Sequence, residues 1–79
     1  MPKNIPSLKP RELIRILENG GCIFYRSGKG DHAIYMRETA EQKWIAPIDI
    51  GAREMSPGYV LRILRQFGFT DEEIVNLLA

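Results

Sequence analysis

CIFYRSGKGDHAIYMR, residues 22–37, is the stretch on which the reading of this chain turns. Its two ends are rich in Ile, Phe, Tyr and Met, and Gly28-Lys29-Gly30-Asp31 between them has the residue types of a tight reversal. Aromatic and β-branched residues suit a half-buried pleated surface, and glycine supplies φ > 0 where strands turn back, so the stretch predicts a β-hairpin. Its strands are expected at residues 22–27 and 32–37. The reversal also brings the chain's only histidine, His32, beside Lys29. An imidazole exchanges a proton near neutral pH, a lysine attracts an anion, and glycines let backbone come close to a ligand. That combination suits phosphodiester chemistry. An ordinary turn followed by a structural histidine is the competing reading, because His32 shares its strand parity with Ile34 and Met36 and would be buried if that side faced the core.

Upstream, Pro2 and Pro6 disfavour regular structure, so residues 1–8 read as an extended arm. Ser7 or Leu8 then precedes a helix with Pro10 in its first turn. Leu13, Ile14, Ile16 and Leu17 form its apolar stripe, Arg11, Glu12, Arg15 and Glu18 its wet side, and Asn19-Gly20-Gly21 ends it. Downstream, residues 38–42 are a polar turn and residues 43–46 a third strand, ended by Pro47, which has no N–H for a ladder. Residues 48–55 show no clear period and read as a connecting loop. Ser56-Pro57 is a strong helix start, with Val60, Ile63, Leu64 and Phe67 at helical spacing and Gly68 as the stop. Thr70 and Glu73 form a capping box for a last helix over residues 71–78. The predicted class is α+β, in the order α-β-β-β-α-α. A three-stranded antiparallel meander with the helices on one face buries all the stripes. With no repeat, low-complexity run or long linker, residues 1–79 are expected to form one domain.

Composition narrows the function. A chain of 79 residues buries only about 60% of its unfolded surface, so a substrate should lie on the surface rather than in a deep cavity. Eleven basic against 10 acidic side chains leave a net charge of +1, which argues against polyelectrolyte binding by bulk charge and leaves the work to local patches. Cys22 has no partner for an internal disulfide, and one Cys with one His is too few for a zinc cage. A reducing, cytoplasmic setting fits. No run approaches the ~20 apolar residues of a membrane span, and the first residues lack a signal-peptide core, so a soluble, non-exported protein is expected.

The succession of helix, Gly21, strand, Arg26, glycine, His32, strand, Pro47-x-x, then Ser56-Pro57-Gly58 and Leu61-Arg62-Ile63-Leu64-Arg65-Gln66-Phe67-Gly68, resembles the HicA (YcfA-like) toxin family over most of the chain. The resemblance implies a fold like a double-stranded-RNA-binding domain, an mRNA-cleaving toxin, and neutralisation by a HicB-like antitoxin protein. The family's Gly-Ser-His maps onto Gly30-Asp31-His32, which makes His32 the implied catalytic residue. The chain departs from the family in three places. Asp31 stands where the serine is usual, the turn between Arg26 and His32 is about a residue longer, and Pro47-Ile48-Asp49 stands where many members have Pro-x-His.

The chemistry so implied needs neither metal nor cofactor, because RNA carries its own nucleophile: the ribose 2′-OH attacks the adjacent phosphate while a histidine moves a proton. Arg26, Lys29, Arg37, Lys43 and Arg53 are the candidate RNA-binding cations, and Gly28, Gly30 and Asp31 shape the turn and orient the histidine. Asp31 and Asp49 read first as turn formers. Tyr25, Tyr35 and Trp44 can stack bases, although cross-strand packing is the expected use. Arg62 and Arg65 suit a solvated helix face as well as a phosphate track. Cys22 reads as a small buried apolar residue. Two other functions stay open: a non-cleaving RNA-binding module on the same fold, and a protein-interaction domain docking through residues 55–67.

Overall fold

Pro10 opens the first helix because its missing N–H is one that a first turn leaves unbonded anyway. In the computed structural model, which describes residues 4–79, α1 runs over Pro10–Asn19. Lys9, not Ser7 or Leu8, is its cap, and the Glu12 carboxylate accepts the Lys9 N–H at 2.8 Å. Residues 1–3 of the expected arm lie outside the described residues. The rest of the arm is tied to the domain at Leu8, which exchanges backbone hydrogen bonds of 3.1 and 2.7 Å with Met55. Gly21, at φ 93°, turns the chain out of α1, and the Cys22 N–H bonds back to the Leu17 carbonyl at 2.9 Å. Cys22 therefore belongs to the helix exit, and β1 starts one residue later than expected, over Ile23–Ser27.

The hairpin forms as predicted, with β2 over His32–Glu38 pairing antiparallel to β1. A bulge between Phe24 and Arg26 shifts the register, so that Arg26 lies opposite Ile34 and Ser27 opposite Ala33. The third strand, β3, spans Lys43–Asp49 and runs straight through Pro47. The expectation that Pro47 ends it is thus corrected, and Ile48 and Asp49 belong to a strand rather than a loop. The reason is topological. Strand order is β1-β2-β3, so β3 is an edge, and an edge strand needs only alternate residues to bond inward. Pro47 sits opposite Ile34, and pairing continues to His32 opposite Asp49.

Ser56 caps α2, Pro57–Gln66, by accepting the Tyr59 N–H at 3.2 Å. Thr70 and Glu73 cap α3, Asp71–Leu78, through reciprocal bonds of 3.2 and 2.8 Å. Between them Gly68 has φ 79° and lies so close to the Trp44 indole that a Cβ would collide with it. The core is one cluster. Leu13 and Leu17 of α1, Val60, Ile63 and Leu64 of α2, Phe67 beyond it and Ile74 of α3 pack on Ala33, Tyr35, Ala46 and Ile48 of the sheet. Burying such side chains contributes roughly 1.5–3 kcal/mol each. The architecture is the predicted α-β-β-β-α-α with a three-stranded antiparallel sheet. Among the described residues no helix is long and apolar enough to cross a membrane.

Candidate functional site

Strand parity settles where His32 points. Successive strand residues face opposite ways, and Ala33 and Tyr35 are buried, so His32, Ile34 and Met36 are on the outer face. His32 is exposed, and the reading that put it in the core is excluded. The turn before it is tight. Gly28 N–H donates to the His32 carbonyl at 2.8 Å, His32 N–H donates to the Lys29 carbonyl at 3.2 Å, and Gly30 takes φ 59°. A Cβ on Gly28 would sit 3.1 Å from that of His32.

The Lys29 carbonyl also meets His32 Nδ1 at 3.0 Å. A carbonyl oxygen only accepts, so Nδ1 must carry the hydrogen in this bond, and in the neutral ring Nε2 is then the atom with the free lone pair. Backbone geometry thereby aims one basic nitrogen at solvent. Directly across the strand pair stands Asp49, half-buried on the same face, with its Oδ1 accepting the Gly51 N–H at 3.0 Å. The carboxylate is thus a turn former, as expected, and also the cross-strand neighbour of His32. Sequence reasoning missed the second role because it ended β3 at Pro47.

Asp31 anchors the turn from the other side. Its carbonyl accepts the Ile50 N–H at 2.8 Å, and its side chain lies against Gly51, where a Cβ would come within 2.7 Å of the Asp31 Cβ. Only glycine fits there. The hairpin tip is therefore clamped to the β3–α2 loop by contacts that neither segment announces alone.

The expected cations separate. Lys29 lies in the turn, and Arg26, opposite Ile34, shares the outer face with His32. Arg37 does not. It has the inward parity of Ala33 and Tyr35, its side chain is 14% exposed, and its Nη1 donates to the Phe67 carbonyl at 2.7 Å. The guanidinium lies 4.7 Å from the Trp44 ring centre and 4.2 Å from that of Phe69, with Glu73 at 3.7 Å. The structure therefore does not bring Arg37 together with His32: its guanidinium faces the helices, on the opposite side of the sheet. Lys43 pairs with Glu38 at the far end of β3, roughly 20 Å along the strand from Asp49. Its ammonium lies over the Tyr25 ring at 5.5 Å instead. Arg53 is exposed on the β3–α2 loop that meets the turn at Asp31.

The aromatic residues divide in the same way. Tyr35 is buried and meets Phe24 edge-on at 5.8 Å, the cross-strand packing expected of it, whereas Tyr25 is exposed on β1. Burial pushes the Cys22 thiol up to about 11, with Arg37 opposing, so at neutral pH it is an uncharged apolar group and not a nucleophile.

With this geometry in place, comparison with known proteins gives one match. A family model described as the HicA toxin of bacterial toxin-antitoxin systems matches residues 10–69, from the first residue of α1 to just past α2. No curated protein and no solved structure matches the chain.

Proposed function

The chain belongs to the HicA toxin family of bacterial toxin-antitoxin systems, and on that premise we propose that it cleaves mRNA or other single-stranded RNA at His32 without a metal. The observation that carries this reading is the exposed imidazole whose Nδ1 is held by the Lys29 carbonyl, leaving Nε2 available. Nε2 takes the proton of a ribose 2′-OH. The 2′ oxygen then bonds to the adjacent phosphorus, the bond from phosphorus to the 5′ oxygen breaks, and the leaving oxygen takes a proton from water. The products are a 2′,3′-cyclic phosphate and a 5′-OH. Lys29 and Arg26 offset the charge that builds on the phosphate oxygens. Proton transfer of this kind contributes typically ~10²–10⁴-fold.

The cognate antitoxin implied by the family is, on this reading, a protein that covers His32 and the cations beside it. The test is cleavage of single-stranded RNA by purified wild type and by His32→Ala, with circular dichroism to verify folding. A loss of ~10²–10⁴-fold in rate is expected, together with relief of growth arrest on expression. Equal rates for the two proteins would remove His32 from the mechanism. A second reading, an RNA binder that does not cut, draws on Asp49 standing where many family members have a histidine, since a carboxylate also repels phosphate. Salt-sensitive RNA binding by wild type with no products selects it.

A further inference from the structure

Arg11 and Arg15 read in the sequence as the wet side of a helix. In the fold they line an open groove of about 590 Å³ with Lys9 at the start of α1 and Arg53 from the β3–α2 loop, over apolar Ile14 and Ala52. Arg11 and Arg15, one helical turn apart, are surface neighbours. No carboxylate among the described residues lies within ion-pair distance of any of these cations. Glu18 also lines the groove, and Glu12 is occupied in capping α1. A chain of net charge +1 therefore gathers four of its 11 cations in one place and leaves them without an ion-pair partner among the described residues. Like charges held together repel, and a polyanion that neutralises them gains the counterions it releases.

The groove is continuous with the site. Ile50, 47% exposed, lines it, and the Ile50 N–H is the group that holds the Asp31 carbonyl in the turn before His32. We propose that this groove is a backbone-binding subsite for single-stranded RNA. It takes the phosphates of nucleotides flanking the one presented to His32, and so rests on the ribonuclease reading above. Three of the four cations are arginines, whose planar guanidinium matches phosphate oxygens two at a time. Ile14, Ile50 and Ala52 supply an apolar surface for sugars or bases.

The experiment uses a 15-nucleotide fluorescein-labelled oligouridylate and fluorescence anisotropy, with His32→Ala as the parent so that the strand stays intact. Adding Arg11→Ala, Arg15→Ala and Arg53→Ala together should weaken binding at least ~10-fold and flatten the dependence of log Kd on log salt by about two units. Each phosphate contact to a single strand contributes ~0.7. Each single variant should flatten it by ~0.7, which keeps the test readable if the triple variant folds poorly. Arg62→Ala with Arg65→Ala, on α2, should change neither quantity. Unchanged affinity and slope in folded triple and single variants overturns the assignment. So does displacement of the RNA by a poly-glutamate peptide of equal charge at equal concentration, which marks a surface for acidic protein. Because binding is read without cleavage, a failure of the nuclease reading leaves this outcome distinct.

Discussion

The two faces of β2 treat polar side chains in opposite ways, and Arg37 and His32 show how. Arg37 points inward, where its guanidinium ties the Phe67 carbonyl, two aromatic rings and Glu73 into one joint between sheet and helices. His32 points outward, where only the backbone of its own turn restrains it. One face spends its charge on holding the helices down. The other leaves charge open to a ligand. Strand parity, more than residue type, decides which a side chain becomes.

The contrast is easiest to break through stability. Alkylation at Cys22 gives the largest signal: with the thiol near 11 against an ordinary 9.0, its thiolate is scarcer by ~100-fold, so iodoacetamide at pH 8 should label it about that much more slowly than in the unfolded protein. Labelling at the unfolded rate in native buffer contradicts the burial of Cys22 in the core that the inner face helps to build. Next comes Arg37→Ala, for which a loss of about 2–4 kcal/mol in urea unfolding is expected from one charged hydrogen bond and two ring contacts. Arg37→Lys should recover little of it, because an ammonium reproduces neither fork nor stacking. On the outer face, Arg26→Ala should stay within about 0.5 kcal/mol of wild type. Equal losses for Arg26→Ala and Arg37→Ala would erase the distinction.

Glu73 offers the smallest and finest probe. The Thr70 backbone N–H is the main influence holding its carboxyl below the ordinary value of 4.5; desolvation opposes it, and the Thr70 hydroxyl and Arg37 add smaller lowering effects. A group with a depressed folded-state value stabilises the fold above its unfolded value and loses that contribution as pH falls through the folded one. The urea midpoints of wild type and Glu73→Gln should therefore differ most above pH 5 and draw together as acid takes the pH down through 4.5 and below. A gap that stays constant throughout the acid titration would assign the effect to the shape of the cap and not to its charge.

Much of the fold was legible because its signals are local. Ser56-Pro57 needs only its own helix to act as a start, Thr70 with Glu73 only theirs, and Gly21, Gly30 and Gly68 stand where φ is positive whatever packs around them. His32 was legible as a candidate for a similar reason, being the only histidine and adjoining a glycine turn. Two alternatives for it remained open until the sheet was seen, since period-2 alternation says which residues share a face but not which face is buried.

From its own order of residues, then, the chain determined the element sequence, the hairpin, the helix caps and the family resemblance, because each depends on neighbours a few positions away. Tertiary structure alone decided that β3 is an edge and tolerates Pro47, that Asp49 stands across from His32, and that Arg37 points inward to join sheet and helices. It also brought Arg53 to Arg11 and Arg15 in one groove. These outcomes hinge on segments distant in the chain meeting in space, and the physical reason is the same for all of them: burying the apolar stripes selects one side of the sheet, and everything on the other side is left to the solvent and whatever it carries.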